Sequence, residues 1–101
     1  DTNIIIPETY NGLSVTSIAD EAFRERYLIT SIIIPDSVTH IGNNAFFCCT
    51  SLSNVELSKN LSSIGFAAFS NCHALESITF PDSLKTAFLH IPKRPPNSFS
   101  L

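Results

Sequence analysis

A repeat of about 23 residues recurs through most of this chain, and a fixed period of that size restricts the possible folds more than any other feature of a sequence. Ile32, Val55 and Ile78 each open an apolar segment and follow one another at this constant step. Other columns keep the same step, among them Ile18/Ile41/Ile64, Ala22/Ala45/Ala68, Phe23/Phe46/Phe69 and Ile29/Leu52/Leu75. Such a repeat is typical of solenoids, in which each unit buries its apolar face against the units stacked on it. We therefore expect a stack of similar coils.

The first copy of the repeat is longer than the others. Its apolar segment, residues 4–6, precedes the segment that opens at Ile32 by more than the regular step. The surplus falls around Asn11-Gly12, a dipeptide that favours a tight turn. The sequence predicts a repeat domain of about four coils at residues 1–84, with copies at 4–31, 32–54 and 55–77 and a partial copy at 78–84. Residues 85–101 are predicted to form a degenerate last turn and an irregular tail, because their prolines cannot continue a strand ladder.

Each copy begins with the pattern of a strand. Ile32 and Ile34 fall on one face of an extended segment and Ile33 on the other, since side chains alternate along a strand. Pro35 follows, and its missing N–H ends the ladder of hydrogen bonds. Stacked strands of this kind predict a short parallel β-sheet along one side of the coils.

The pattern then changes to that of a short helix. Ala45, Cys49 and Leu52 have the spacing of one helix face, and Asp20 and Asn43 stand where a helix N-cap would. We therefore predict an α/β solenoid with short helices or 3-10 turns on the side opposite the sheet. Helices of about two turns are unstable alone, so packing must hold them.

Composition excludes several kinds of partner. The net charge of −3 comes from six Lys and Arg against nine Asp and Glu, which gives no basic patch for nucleic acid. No apolar run approaches the ~18 residues of a membrane-spanning helix. We expect no nucleic-acid partner and no membrane span.

The repeat closely resembles the BspA-like class of leucine-rich repeats. The best copy carries Ile29, Ile32, Ile34, Pro35, Ser37, Val38, Ile41, Gly42, Ala45, Phe46, Cys49 and Leu52. The resemblance implies a leucine-rich-repeat solenoid in a secreted or cell-surface protein of bacteria or protozoa, used for adhesion. It implies no catalytic residue and no cofactor. The chain departs from the pattern at Ser58, which replaces a proline, and at Arg26, which stands in the column of Cys49 and Cys72.

The spacing of the cysteines has two interpretations. Cys49 and Cys72 occupy equivalent positions one repeat apart, and stacked coils could bring their Cα atoms near the ~5.5 Å of a disulfide. A column of small buried side chains explains the same spacing, and we favour free buried thiols. Cys48 lies beside Cys49 and points away from that column. No cysteine pair has the C-x₂₋₄-C spacing of zinc sites, so we expect no metal.

Catalytic motifs are missing from the sequence. It contains no Gly-x-Ser-x-Gly elbow and no glycine-rich phosphate loop, so we predict that the chain is not an enzyme. His40 is placed in the turn after a strand and faces solvent. Ser37, Asn60 and Ser83 share one column, which suggests hydrogen bonding to the backbone in turns. Asn60 also opens the glycosylation sequon Asn60-Leu61-Ser62, although the turn role explains it as well.

The outer face of the predicted sheet is the best candidate for a binding site. We call it the sheet face, and its residues are Ile5, Ser31, Ile33, Asn54, Glu56, Ser77 and Thr79. With one charge and two isoleucines, this surface suits contact with a protein or matrix partner. The alternatives are a structural spacer or part of a longer array, with ends that self-associate into a homo-oligomer, and an enzyme or an accessory module of one.

Overall fold

The computed structural model describes residues 2–87 and 98–99, and for residues 86, 87, 98 and 99 it describes the backbone alone. Most of the predicted irregular tail, residues 85–101, lies outside the described residues. The described part consists of short strands joined by turns. In chain order the strands are β1 (Asn3–Ile5), β2 (Thr9–Tyr10), β3 (Leu13–Ser14), β4 (Ser17–Ile18), β5 (Ser31–Ile33), β6 (His40–Ile41), β7 (Asn54–Glu56), β8 (Ser63–Ile64), β9 (Ile78–Thr79), β10 (Thr86–Ala87) and β11 (Ser98–Phe99).

Parallel pairing at the repeat step builds two sheets along the stack. β1, β5 and β7 form the first sheet, in which Ile32 stands between Ile4 and Val55. β4, β6, β8 and β10 form the second sheet, in which Ile41 pairs with Ile18. The first is the predicted parallel sheet. The second sheet occupies the segments that were predicted as turns. Its strands have two residues each, which is too short to show the period of two by which a strand is recognised in a sequence.

The prediction of short helices on the other side of the coils is wrong. In the part of the chain that the structure describes there is no helix, and residues 20–25, 43–48 and 66–71 form consecutive turns. In the first of these segments, the N–H groups of Ala22 and Arg24 donate to carbonyls three residues back in the same coil. The N–H of Phe23 instead donates to the carbonyl of Ala45 in the next coil, at 2.7 Å. Alternate N–H groups therefore leave the coil, whereas an α-helix keeps them within it.

Left-handed residues recur at the second and sixth positions of each turn segment. They are Glu21, Glu25, Asn44, Cys48, Ala67 and Asn71, with φ between 56° and 62°. This conformation costs an L-residue roughly 1–2 kcal/mol, which the hydrogen bonds to the neighbouring coil offset. It also points side chains four residues apart, such as Ala45 and Cys49, into the core. That spacing coincides with the spacing of a helix face, which is why the pattern predicts a helix here.

The two predicted helix caps act between coils. Asp20 Oδ1 accepts a hydrogen bond from the backbone N–H of Asn43 at 2.8 Å. Asn43 Oδ1 accepts in turn from the backbone N–H of Phe66, also at 2.8 Å. Each side chain thus satisfies a backbone donor one coil further along the stack.

The core consists of columns that run along the stack, as the repeat predicts. The rings of Phe23, Phe46 and Phe69 are stacked with centroids 5.2 and 5.0 Å apart and planes within 6° of parallel. The predicted isoleucine and leucine columns are buried in the middle coils. A further buried column of Val38 and Leu61 was not predicted.

Two antiparallel pairs complete the described fold. β2 and β3 form a hairpin in which Tyr10 pairs with Leu13. Asn11 and Gly12 both have positive φ, 52° and 81°, so the predicted Asn-Gly turn is confirmed as the tip of this hairpin. At the other end of the stack, β11 pairs with β9.

Candidate functional site

The apolar row of the sheet face lies in register across three coils. Ile5 on β1 stands opposite Ile33 on β5, which stands opposite Glu56 on β7. Strands of one sheet are about 4.8 Å apart, so these side chains form a continuous row. Ile5 is 72% exposed and Ile33 is 38% exposed. The row therefore offers apolar surface that the fold leaves in solvent, with a carboxylate at one end.

A polar row runs beside it. Ser31 stands opposite Asn54 in the same sheet. The hydroxyl of Ser31 donates to Asn3 Oδ1 at 2.7 Å, and the hydroxyl of Thr30 lies 3.3 Å from the same oxygen. These bonds join the first two coils, so part of this row is used to hold the stack together.

The last two predicted residues of the sheet face lie in a different setting. Thr79 belongs to β9, whose partner Ser98 in β11 runs antiparallel to it. Ser77 precedes β9 and is exposed. The structure therefore brings five of the seven predicted residues onto the three-stranded sheet and places Ser77 and Thr79 at the neighbouring antiparallel pair.

A second apolar surface lies at the end of the stack that the first coil forms. An open groove of about 350 Å³ is lined there by Ile4, Ile6, Val15, Ile18, Ala22 and Phe23, among others. Nearby in the chain, Tyr10 and Leu13 are 70% and 73% exposed on the hairpin. These two side chains were not among the predicted site residues. Both residues flank Asn11-Gly12, and a hairpin turn at this dipeptide predicts that the two residues face each other across the hairpin.

The histidine and serine residues make one contact on the second sheet. His40 Nδ1 forms a hydrogen bond with Ser63 Oγ, across the pair β6 and β8. His40 is exposed at this contact. Among the described residues, no group of three or more His, Cys, Asp or Glu side chains could hold a metal ion.

The structure places the three cysteines in two different environments. The buried thiols of Cys49 and Cys72 donate to the carbonyls of Phe23 and Phe46, at 3.1 and 3.0 Å, in the preceding coil. Burial is the main cause that raises the pKa of Cys49, and it raises the pKa of Cys72 to about 12. Cys48 is only half-buried and lies 3.6 Å from Asn71 Nδ2. These contacts favour the free-thiol alternative for Cys49 and Cys72, which stays a prediction.

We expect a thiol reagent to label Cys48 alone in the folded protein at pH 8. Cys49 and Cys72 should react only after denaturation, because they are buried and their raised pKa values keep them protonated. The pKa of each of these thiols is higher in the folded chain than in the unfolded chain. Each thiol therefore stabilises the fold at pH values below the pKa of the unfolded thiol, and this contribution is lost as the pH rises towards the pKa of the folded thiol. Mass spectrometry after alkylation, with and without denaturant, checks the labelling, and rapid native labelling of Cys72 would contradict it.

The predicted column of turn residues makes the expected hydrogen bonds to the backbone. Ser83 Oγ donates to the carbonyl of Leu61 at 2.6 Å, and Asn60 Nδ2 donates to the carbonyl of Asp36 at 2.9 Å. Ser37 Oγ lies 3.5 Å from the carbonyl of Glu8. Each of these bonds joins one coil to the preceding one, so this column serves the stack.

Comparison with known proteins agrees with the architecture. The family profile described as the BspA type leucine rich repeat region matches residues 2–90 in six copies. No curated protein matches the chain. Among solved structures, the chain is similar to a leucine-rich repeat protein of T. pallidum, with 34% identity and a TM-score of 0.83 over 85% of this chain and 41% of that one. The expected leucine-rich-repeat solenoid with parallel sheet is thereby confirmed.

Two other bacterial structures are similar. A leucine-rich repeat protein from Bacteroides capillosus is 41% identical, with a TM-score of 0.80 over 86% of this chain and 66% of that one. A leucine rich cell surface protein from Faecalibacterium prausnitzii is 38% identical, with a TM-score of 0.75 over 86% of this chain and 25% of that one. The chain thus spans less than two thirds of the length of each of these three proteins. None of its described residues forms a helix able to cross a membrane.

Proposed function

Because this chain belongs to the BspA-type leucine-rich repeat family, we propose that it is a non-enzymatic binding module of a cell-surface or secreted protein. In this proposal the sheet face contacts a protein or an extracellular-matrix partner. One similar structure is that of a cell surface protein, which supports the proposed location.

The exposed apolar row is the observation that carries the proposal. Ile5 and Ile33 point out of a sheet whose opposite face is already filled by Ile32 and its column. Neither side chain belongs to the hydrophobic core cluster. Adjacent isoleucines on a flat sheet with a single nearby carboxylate, Glu56, suit the desolvated centre of a protein interface, which is depleted in charge. The regular spacing of the coils also presents the row as a rigid surface, which reduces the entropy lost on binding.

The substitution Ile33→Glu is expected to weaken binding strongly and to leave the fold intact. Its carboxylate would stand between Ile5 and Glu56, where it adds a second negative charge and breaks the apolar row. Loss of an apolar anchor at an interface centre weakens binding by about thirtyfold or more. The measurement is adhesion of the purified chain to immobilised matrix proteins such as collagen and laminin, together with circular dichroism.

Phe66→Glu is the matched control, because Phe66 is 68% exposed but lies in the turns after β8, away from the sheet face. Binding should survive this change. Adhesion that Ile33→Glu leaves unchanged would contradict the proposed sheet-face contact. It would favour the second candidate function, a spacer whose role is to extend a stack of coils.

A further inference from the structure

The hairpin of the first coil ends in an Asn-Gly dipeptide that stands outside the repeat. Asn11 and Gly12 form its tip, between strands β2 and β3, and both residues have positive φ. They belong to the surplus residues of the first copy, which have no counterpart in the regular copies. The tip is therefore a local feature of one coil, whereas the other turns recur along the stack.

No hydrogen bond holds the two reactive groups of this tip. Within the described part of the chain, neither the side-chain amide of Asn11 nor the backbone N–H of Gly12 has a partner. Other asparagine side chains bond to a neighbouring coil, namely Asn3, Asn43, Asn60 and Asn71. The amide carbon Cγ of Asn11 and the backbone nitrogen that follows it are thus both unengaged.

Glycine after the asparagine lets these two groups meet. Attack of the backbone nitrogen on Cγ closes a succinimide ring, and a side chain on the following residue hinders that close approach. Gly12 has no side chain, and beyond its chain neighbours no atom lies within 4 Å of the place that a Cβ would take. Asn54 also lacks a side-chain bond to a described residue, but it precedes the β-branched Val55. Ring closure is therefore favoured at Asn11 over Asn54.

We propose that Asn11 is a site of spontaneous deamidation. The backbone nitrogen of Gly12 gives up its proton to hydroxide and attacks Asn11 Cγ, and the bond from Cγ to the side-chain nitrogen breaks. That nitrogen takes a proton from water and leaves as ammonia. Water then opens the succinimide ring at either of its carbonyl carbons, which yields aspartate or isoaspartate. Water and its hydroxide are the only co-reactants, and the proposal does not rest on the sheet face.

The two products differ in their effect on the hairpin. Aspartate keeps the length of the backbone and suits the same turn, but it adds a negative charge. In isoaspartate the main chain passes through Cγ and gains a methylene group. A hairpin turn of this kind must match the twist of its strands, so the insertion should separate Tyr10 from Leu13. It should also break the bond from Val15 N–H to the carbonyl of Glu8, which is 2.8 Å long in the native chain.

The hairpin controls the rate of this reaction. Ring closure requires rotation about the backbone of Asn11, which the tight turn holds in the left-handed region. Strands β2 and β3 have two residues each, and so short a hairpin opens locally at little cost in free energy. The reaction should therefore proceed from the opened hairpin, more slowly than in the denatured chain and faster than at asparagines within the coils.

Incubation of the full chain at mildly alkaline pH, followed by peptide mapping with mass spectrometry, tests the proposal. Loss of the amide changes the mass of the peptide, and a methyltransferase specific for isoaspartate identifies that product. Asn44 and Asn54 are the internal comparisons, because Ala45 and Val55 follow them. Asn11 should react at least about tenfold faster than either, because a steric cost of about 1.4 kcal/mol on ring closure already slows a reaction tenfold.

Two variants serve as controls. Asn11→Asp removes the reacting amide and should show a native hairpin with no mass change at this position. Gly12→Ala places a Cβ at a φ of 81°, which strains the turn, yet it should slow the reaction because the added carbon hinders ring closure. Faster reaction in Gly12→Ala would overturn the proposed route, since opening of the turn alone would then decide the rate.

Two further measurements decide the remaining outcomes. Equal rates at Asn11 and Asn54 in the folded chain would overturn the proposal. So would an Asn11 that reacts in the denatured chain and stays intact in the folded one. Hydrogen exchange of the Val15 amide should become fast only in the isoaspartate form, because that amide donates across the hairpin. Circular dichroism shows that the stack stays folded while the hairpin opens.

Discussion

The Phe46→Ala variant is expected to lose about 3–5 kcal/mol of unfolding free energy, the range observed when a buried phenylalanine is truncated to alanine. The side chain of Phe46 is fully buried, and its ring stacks on Phe23 at 5.2 Å and on Phe69 at 5.0 Å. Its removal therefore leaves a cavity and ends two aromatic contacts at once. Small domains have only about 5–15 kcal/mol of stability, so the variant should be largely unfolded at moderate temperature.

The position of Phe46 in the middle coil adds to this effect. In a stack, each coil is stabilised by contacts with its two neighbours, so damage in the middle weakens both interfaces. Denaturant unfolding followed by circular dichroism measures the change. Phe66→Ala is the control, because Phe66 is 68% exposed and should change stability by no more than about 0.5 kcal/mol. A Phe46→Ala variant as stable as this control would contradict the core assignment.

The constant repeat step was sufficient to predict the stack and most of its core columns. The step fixes the register directly, so the pairing of Ile32 with Val55 and the stacking of Phe23 on Phe46 follow from the residue numbers alone. The hairpin was equally accessible, because Asn11-Gly12 favours a turn in which both residues have positive φ. Features that repeat with the period, or that depend on a dipeptide, are encoded locally and can be read from one sequence.

The turns between the sheets were not accessible in the same way. Spacing of Ala45 and Cys49 by four residues fits a helix and also fits two consecutive turns with left-handed residues at Asn44 and Cys48. What decides between them is the neighbouring coil, which accepts hydrogen bonds such as that from Phe46 N–H to the carbonyl of Ala68 at 2.7 Å. This partner lies almost a full repeat further along the sequence, so the helix propensity of the local segment gives no information about the hydrogen bond.

Part of the candidate site was likewise predictable from the sequence, and part of it was not. Alternation along β1 and β5 predicted correctly that Ile5 and Ile33 are exposed, because strand residues alternate between faces. The antiparallel pairing of Thr79 with Ser98 was not predictable, since it joins β9 to a segment outside the repeat. The groove at the first coil was also missed as a cavity, because it is defined by the shape of an end and has no sequence pattern of its own.

The Gly65→Ala variant should be destabilised by about 2–4 kcal/mol, through overpacking together with the loss of a hydrogen bond. Neither Gly42 nor Gly65 has a positive φ, so backbone strain is not the reason for glycine at these positions. The reason is proximity, since a Cβ on Gly65 would lie 2.5 Å from the backbone N of Asn43 and would also overlap its Oδ1. That oxygen accepts the hydrogen bond from Phe66 N–H, so the added methyl group would push the two coils apart at the point where they are joined.

Ala19→Gly is the matched control for this argument. Ala19 holds the equivalent position in the first coil and is exposed, so removal of its Cβ should cost no more than about 1 kcal/mol, mainly from greater freedom in the unfolded chain. Denaturant unfolding of the two variants measures both changes against the native chain. Equal effects at the two positions would show that close packing between coils does not select glycine. A large loss confined to Gly65→Ala would establish that this column controls where one coil can stack on another.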